Sequence, residues 1–241
     1  MSNRIKYIHE ENVHNLKSPM EIVPVLVKLL TPKSVVDFGC GLGTFLYCFK
    51  IEGVKEVLGL DGSWVNKELL NKYISHDEFL ECNLEEPLNL GKRFDLAISL
   101  EVAEHIPEKA ADIFIENLVS TSQMIVFSAS VPNQDGQNHI NEQWLNYWEQ
   151  KFSKHNYIMH DILRPLFWDN PNIFWWYKQN MVLVTSKESN FQTNCDVLKN
   201  VIHYEFLNDK SKHLDSIVNG SAGTKTYLKY LVRSVKKKFL H

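Results

Sequence analysis

The stretch that most constrains the fold runs from Ser34 to Thr44 and reads SVVDFGCGLGT. A short apolar run ends in Asp37, and glycines follow it at positions 39, 41 and 43. Glycine permits positive φ angles and a close approach of ligand to backbone, whereas Val35 and Val36 suit a buried strand. The residues from Thr44 onward predict a helix whose unpaired N–H groups face the turn. The pattern predicts a strand, a glycine turn and a helix, typical of nucleoside-binding sites, although many glycine turns bind nothing.

Composition and charge narrow the class of protein. The chain has 241 residues, of which 44% are hydrophobic, and a formal net charge of −3. This length suits one domain with additions, and the charge gives no overall attraction for nucleic acid, so we expect no nucleic-acid partner. The cysteines lack zinc-like spacing, the N-terminus lacks the apolar core of a secretion signal, and no apolar run reaches the length of a membrane span. We therefore expect a cytoplasmic protein.

Three further segments predict strands that end beside polar side chains. They are Gly53–Asp61, Glu78–Asn83 and Phe94–Leu100, the last of which runs directly into Glu101. The carboxyl ends of neighbouring parallel strands meet at one edge of a sheet, where ligands bind. The sequence thus predicts a crevice lined by these strand ends and by the glycine turn.

Several side chains at these ends suit a nucleoside. The carboxylate of Asp61 can accept two hydrogen bonds from a ribose diol. Trp64 could cover an adenine ring, or it could be an ordinary core or surface tryptophan. The amide of Asn83 can read a base edge, and Leu84 could pack on the same ring.

Later segments continue the alternation of helices and strands. Residues 108–118 predict a helix and Met124–Ser128 a strand, which indicates a parallel α/β sheet. A polar loop then leads to an aromatic helix that begins at Trp144, and Phe174–Val184 predicts the last strand. Near the N-terminus, the order Ser18-Pro19 predicts a helix capped by Ser18.

Taken together, the motifs VVDFGCGLGT, VLGLDG, CNL and FDLAISLEVAEHI resemble the class I S-adenosylmethionine-dependent methyltransferases. The resemblance implies a Rossmann-like α/β fold, in which helices flank a mostly parallel seven-stranded sheet, and S-adenosylmethionine as cofactor. Residues 1–188 would form this domain, including an N-terminal helical lid, and 189–241 a C-terminal helical extension. The later segment FSASVPNQDGQNHINEQWLNYW, followed by WWYKQN, resembles a bacterial subgroup associated with surface-polysaccharide gene clusters.

The resemblance also implies roles for individual residues. Asp37 and the glycine turn would hold the methionine part of the cofactor, with Glu101 nearby, and Asp61 would hold the ribose. Asn83 stands where many members of the family have aspartate, so it would meet the adenine through an amide oxygen. The full predicted cofactor set is Asp37, Gly39, Cys40, Gly41, Gly43, Asp61, Gly62, Trp64, Asn83, Leu84 and Glu101.

Methylation of a hydroxyl requires a proton to leave, and histidine is the natural base near neutral pH. His139 in the polar loop is the first catalytic candidate, followed by His105 and Glu142; a histidine that only orders the loop is the alternative reading of His139. We expect no resident metal, although Asp135, His139 and Glu142 could hold a divalent ion. Arg164 could pair with an acceptor phosphate or form a structural ion pair.

The predicted function is O-methylation of a sugar or sugar-linked group in capsule or surface-polysaccharide biosynthesis, with a small-molecule or glycan-precursor acceptor. One alternative is methylation of nitrogen or of a phosphorylated small molecule, and another is a non-catalytic scaffold of the same fold that docks through its basic tail. Residues 224–240 predict a basic amphipathic helix. This helix could lie on an anionic membrane or a partner enzyme, or it could pack on its own domain.

Overall fold

Seven strands form one sheet in the first part of the chain. They are β1 (Ser34–Phe38), β2 (Glu56–Asp61), β3 (Phe79–Glu81), β4 (Leu96–Leu100), β5 (Met124–Ser128), β6 (Tyr157–His160) and β7 (Val182–Ser186). Their spatial order is β3-β2-β1-β4-β5-β7-β6. The first five strands are parallel, and β7 runs antiparallel to both β5 and β6. The predicted Rossmann-like, mostly parallel seven-stranded sheet is confirmed.

Helices connect and cover the strands. They are α1 (Lys17–Leu30), α2 (Thr44–Ile51), α3 (Lys67–Leu70), α4 (Ala111–Thr121), α5 (Leu145–Ser153), α6 (Leu163–Phe167), α7 (Trp175–Asn180), α8 (Tyr204–Val218) and α9 (Thr224–Phe239). Single turns of 3₁₀ helix occur at His76–Glu78, Ala103–His105 and Glu108–Ala110. Helix α1 ends where Thr31 adopts a φ of 47° and Pro32 follows, because proline disfavours helical geometry in the residue before it.

The structure is a computed structural model that describes residues 7–8, 14–189, 191, 193 and 200–239. Residues 1–6 and 9–13 of the predicted N-terminal lid lie outside the described residues, as do residue 240 and the side chains of 237–239 in the predicted basic helix. The chain divides into two compact units, Met1–Val201 and Ile202–His241. No helix in the described part of the chain is both long and apolar enough to cross a lipid bilayer.

The sheet has a hydrophobic layer on each face because alternate strand residues point to opposite sides. Ile98 and Val126 belong to the layer that contains α1, α2 and α6. Ala97 and Phe127 belong to the layer that contains α4 and α5, where Phe127 contacts Trp148 with ring centroids 5.5 Å apart. Burial on both faces fixes the strand ends, and therefore the loops that follow them.

The predicted last strand is wrong in its first half. Trp175–Asn180 forms α7, and the strand begins only at Val182. Lys178, Gln179 and Asn180 are all buried, whereas a strand would direct alternate side chains to opposite faces. The helical turn thus lets three consecutive polar side chains reach partners inside the domain.

The predicted helix cap at Ser18 is also wrong. Helix α1 starts at Lys17, and its N-cap residue, Leu16, makes no side-chain cap. Ser18 is fully buried, and its hydroxyl accepts a hydrogen bond of 2.9 Å from the backbone N–H of Phe174. A tertiary contact therefore uses the oxygen that the local sequence pattern assigned to capping.

Candidate active site

The glycine turn after β1 takes the backbone that the sequence predicts. Gly39, Gly41 and Gly43 have φ angles of 85°, 54° and 79°. A Cβ atom on Gly39 would lie 2.4 Å from Cγ2 of Val102, so the loop after β4 packs directly on the bare backbone of the turn. Only glycine combines this φ with this contact. The turn and the end of β4 are consequently held as one unit.

Asp37 lies one residue before the end of β1 and is 4% exposed. Among the described residues, no group donates a hydrogen bond to its carboxylate. Burial, and then the nearby Asp61, raise the pKa of Asp37 well above its usual value. A buried carboxylate without donors is suited to a ligand that brings its own positive charge or N–H groups.

Asp61 at the end of β2 ties two backbone segments together. Its Oδ2 accepts a hydrogen bond of 2.8 Å from Gly41 N–H, and its Oδ1 accepts one of 2.7 Å from Gly62 N–H. Burial raises the pKa of Asp61 to about 6, against the opposing effect of hydrogen bonds from Gly41, Gly62 and Trp64. These three donors use three of the four lone pairs of the carboxylate, which leaves one for a hydroxyl of a ligand.

The other predicted adenosine residues lie around Asp61. The Trp64 ring packs on Gly62, where a Cβ atom would come within 2.2 Å of it, and Trp64 remains 45% exposed. Asn83 is exposed, and its amide makes local bonds to Glu86 and to the backbone of Glu85. Leu84 is buried in a core layer, and Cys40 packs its sulfur on Gly59.

Glu101 follows β4 with a φ of 57°, which is rare for a residue other than glycine. Its carboxylate accepts hydrogen bonds from Ser130 Oγ at 3.2 Å, Gln134 Nε2 at 2.8 Å and Asn180 Nδ2 at 3.1 Å. Its N–H donates to the carbonyl of Ser128 at 3.1 Å. Burial raises the pKa of Glu101, and these hydrogen bonds oppose the increase. Strain held by such a network is a feature of functional sites.

Glu104, one turn further along, is fully buried. Its Oε1 accepts a hydrogen bond of 2.8 Å from Ser130, the same hydroxyl that contacts Glu101. Its backbone carbonyl accepts bonds from the N–H groups of Ile140 and Asn141, both 3.0 Å long. Burial, and then the Glu101 charge, raise the pKa of Glu104 well above its usual value. Sequence reasoning missed this network, since its members come from four separate segments.

The structure brings the two predicted catalytic histidines together. The rings of His105 and His139 have centroids 4.9 Å apart and an interplanar angle of 83°. Burial, and then the neighbouring His139, lower the pKa of His105 to about 4. Nδ1 of His139 lies 3.0 Å from Oε1 of Glu142, and its ring packs on Gly136. All three predicted catalytic residues therefore meet in one place.

The loop that carries His139 is ordered by Glu142. This carboxylate also accepts bonds of 2.8 Å from the backbone N–H groups of Asn133 and Asp135. Asn133, Asp135 and Asn138 have φ angles of 67°, 61° and 61°, a conformation that asparagine and aspartate tolerate. The loop is thus shaped by its own side chains, and His139 has a defined orientation.

Part of the predicted N-terminal lid lies at the same site. The Tyr7 ring is 5.0 Å from the His105 ring, and its hydroxyl lies 3.3 Å from Nε2 of His14. Arg164, by contrast, forms a bidentate ion pair with Asp161 at 2.7 and 2.6 Å and is 4% exposed. The structural alternative for Arg164 therefore holds.

Comparisons with known proteins identify the family of this domain. A family model described as a methyltransferase domain matches residues 10–170. The mitochondrial ubiquinone biosynthesis O-methyltransferase of Dictyostelium discoideum is 26% identical over 161 residues, which cover 60% of this chain and 46% of that protein. The chain thus spans about half the length of the curated relative that it matches.

Solved structures show the same fold at low identity. Magnesium protoporphyrin IX methyltransferase from Synechocystis, with bound SAH, gives a TM-score of 0.54 at 14% identity, covering 77% of this chain and 90% of that one. An O-methyltransferase family protein from Burkholderia thailandensis gives a TM-score of 0.51 at 13% identity, covering 71% of this chain and 58% of that one. At these identities the likeness shows the fold alone.

Proposed function

The chain belongs to the methyltransferase domain family, and from this premise we propose that it transfers a methyl group from S-adenosylmethionine to a hydroxyl of a sugar or sugar-linked acceptor. Under this proposal, methylation takes place in the cytoplasm, before a capsule or other surface glycan is exported. The main support for this proposal is that two sets of polar side chains lie at the same edge of the sheet. Asp37 and Asp61 flank the glycine turn, and His105 and His139 lie beyond Glu101.

The residues on the donor side fit the chemistry of this cofactor. When bound, the donor supplies an electrophilic methyl group on a positively charged sulfur. Asp37 and Glu101 would hold the methionine ammonium and Asp61 the ribose diol, because buried carboxylates bind cations and hydroxyl donors. The glycine turn would let the methionine chain approach the backbone closely, and Trp64 would cover the adenine. Gly41 and Gly62 preorganise Asp61 for this purpose.

The acceptor side combines polar groups with aromatic surfaces. Tyr177 interacts electrostatically with Glu101, and its ring lies 6.0 Å from that of Trp176. Trp176 in turn stacks on Phe174 with centroids 4.4 Å apart. Aromatic side chains beside a few oriented polar groups suit a sugar, which has both an apolar face and hydroxyls.

The two histidines are the proposed bases. Nδ1 of His139 faces a carboxylate and therefore carries the proton, which leaves Nε2 to accept the proton of an acceptor hydroxyl. We expect the His139→Ala variant to lose turnover far more than cofactor affinity. Equal losses of both would contradict the role of His139 as a base.

Calorimetry with S-adenosylhomocysteine tests the donor half of the proposal. We expect saturable binding to the wild-type chain and a large loss in the Asp61→Ala variant. Absence of binding at about 1 mM ligand, together with identical behaviour of the variant, would overturn it.

Methyl transfer assays across acceptor classes test the other half. Free and nucleotide-linked sugars, phosphorylated small molecules and amines would be compared using labelled donor. Product that retains label on a sugar oxygen supports the proposal, whereas label on nitrogen or on a phosphorylated non-sugar acceptor would replace it. Cofactor binding without turnover of any of these classes would favour a scaffold.

A separate proposal concerns helix α9. Leu228, Leu231 and Val232 are 54%, 60% and 51% exposed, although Tyr230 in the same helix lies 3.2 Å from Nε2 of His213 in α8. Apolar side chains exposed among lysines and an arginine suit an anionic lipid surface. We therefore propose peripheral contact with an anionic membrane through this helix.

A further inference from the structure

Glu104, His105 and His139 converge beyond the carboxyl ends of β4 and β5. One carboxylate oxygen of Glu104 and one ring nitrogen from each histidine all lie within 4.8 Å of one another. Ligand atoms that share an ion at about 2.1 Å are about 3 to 4 Å apart, so small side-chain rotations close this set. Two imidazoles and a carboxylate are a common donor set for transition metals.

The two carboxylate oxygens of Glu104 differ in their hydrogen bonding, and this difference suggests a ligand. Oε1 is bonded to Ser130, but Oε2 is buried and has no hydrogen-bond partner among the described residues. Glu101 places a second carboxylate against the same serine hydroxyl. In the described part of the chain, no lysine or arginine forms an ion pair with either glutamate. Such an arrangement is costly unless a cation binds or a carboxyl group keeps its proton.

The histidines are oriented as metal ligands are. Nδ1 of His139 lies 3.0 Å from the Glu142 carboxylate, and Nδ1 of His105 lies 3.3 Å from the carbonyl oxygen of Asn138. A ring nitrogen that faces an oxygen acceptor must carry the proton, so Nε2 of each ring has the lone pair. This pairing of a ligand histidine with an outer oxygen is the usual support of a metal site.

We propose that Glu104, His105 and His139 bind one divalent transition-metal ion, with coordination positions left for the acceptor. The set differs from the one considered from the sequence, because Glu142 is engaged with His139 and the backbone of Asn133 and Asp135. Two imidazole ligands favour ions such as Mn²⁺, Co²⁺ and Zn²⁺ over Mg²⁺ and Ca²⁺.

The catalytic use of the ion rests on the proposed function. An acceptor hydroxyl bound to the ion would have a lower pKa and release its proton to solvent. The resulting oxygen anion forms a bond to the methyl carbon, while the carbon–sulfur bond breaks and leaves its electron pair on sulfur. His139 would then act as a ligand, and solvent would take the proton that the metal-free proposal assigns to it.

Metal binding by the full-length chain tests the site without any acceptor. The protein is stripped with chelator, dialysed and titrated with Co²⁺ and with Mn²⁺ by calorimetry, while visible absorption follows Co²⁺. We expect one ion per chain and ligand-field bands typical of nitrogen and oxygen ligands. The His105→Ala, His139→Ala and Glu104→Gln variants should each lose about 100-fold in affinity, and Glu142→Gln about 10-fold.

The control is His76→Ala, because the His76 side chain is 91% exposed and far along the chain from the cluster. Circular dichroism and urea unfolding identify any variant that fails to fold, and Glu104→Gln keeps the shape of the side chain. Unchanged affinity in all three ligand variants, or no binding of either ion at about 1 mM, would overturn the site. Titration of the same samples with S-adenosylhomocysteine tests the donor site separately, so failure of one proposal is distinguishable from failure of the other.

Discussion

Oδ2 of Asp61 lies 2.8 Å from the backbone nitrogen of Gly41, so the end of β2 is bonded directly to the glycine turn that follows β1. The second oxygen of the same carboxylate is bonded to Gly62 N–H. One side chain thus fixes two backbone segments and keeps one lone pair for a further donor.

The Asp61→Asn variant should lose both stability and affinity for S-adenosylhomocysteine. An amide has only one acceptor oxygen, so its NH₂ group would face one of the two N–H donors. We expect the free energy of unfolding to fall by about 1–3 kcal/mol and the affinity to fall at least tenfold. Urea unfolding and calorimetry measure these effects. Asp77→Asn is the control because the Asp77 side chain is fully exposed; similar losses there would refute the argument.

The Asp37→Asn variant should be more stable than the wild type at neutral pH. The pKa of Asp37 is raised in the folded chain, so its ionisation opposes folding. The carboxyl contribution is favourable below the usual value of 3.8 and is lost as pH rises through the raised pKa. At about pH 8 the variant should be more stable than the wild type, and the difference should shrink toward about pH 4.

Urea unfolding of both proteins across this pH range measures the Asp37 effect. A variant that is less stable than the wild type at every pH would contradict it. Affinity for S-adenosylhomocysteine should fall in the same variant, so stability and binding would change in opposite directions.

Asn180→Ala should lower the free energy of unfolding, because it removes hydrogen-bond donors from the buried carboxylate of Glu101. The Asn180 amide donates to both carboxylate oxygens of Glu101, at 3.1 and 3.2 Å, and to Gln134 at 2.9 Å. Its loss leaves a buried carboxylate with fewer donors, which costs about 1–3 kcal/mol in unfolding free energy. Asn172→Ala removes an exposed amide bonded to Glu21 and should stay within about 0.5 kcal/mol. Equal effects of the two substitutions would show that the Glu101 network is not stabilising.

Gly136→Ala should displace the His139 ring. A Cβ atom at position 136 would lie 2.1 Å from Nε2 of His139, so the ring must move. We expect shifted His139 imidazole resonances in NMR spectra and an affinity for Co²⁺ reduced about tenfold or more. Gly223→Ala adds the same methyl group in open space and should change neither measurement. Unshifted His139 resonances in Gly136→Ala would contradict this packing.

Charge reversal on α9 should abolish vesicle binding. The full chain should co-sediment with anionic vesicles but not with neutral ones, and added salt should weaken binding by screening. Replacing Lys225, Lys229 and Arg233 with glutamate should remove the interaction, since each basic residue contributes about 1 kcal/mol. Binding that survives both salt and charge reversal, or binding to neutral vesicles, would contradict an electrostatic contact.

Local sequence patterns predicted the structure correctly where a short apolar run or a glycine pattern marks the element. Strands β1 and β5 lie as predicted, and the glycine turn has the expected φ angles. The pattern failed at α7, whose aromatic run looks like a strand but whose polar residues reach buried partners in a helical turn. It also missed β6, a four-residue strand that pairs with β7 at the edge of the sheet.

The sequence by itself determined the sheet, the glycine turn and the candidate residues. Each depends on a local feature: apolar runs mark the strands, glycines mark the turn, and carboxylates at strand ends mark the site. Only the tertiary structure decided which of those residues meet. His105 and His139 are 34 positions apart, and their contact depends on the Glu104 carbonyl that holds the backbone of Ile140 and Asn141. Similarly, the single bond from Gly41 to Asp61 joins a turn and a strand that are 20 residues apart. Such pairings follow from the order and packing of the strands, which no single segment specifies.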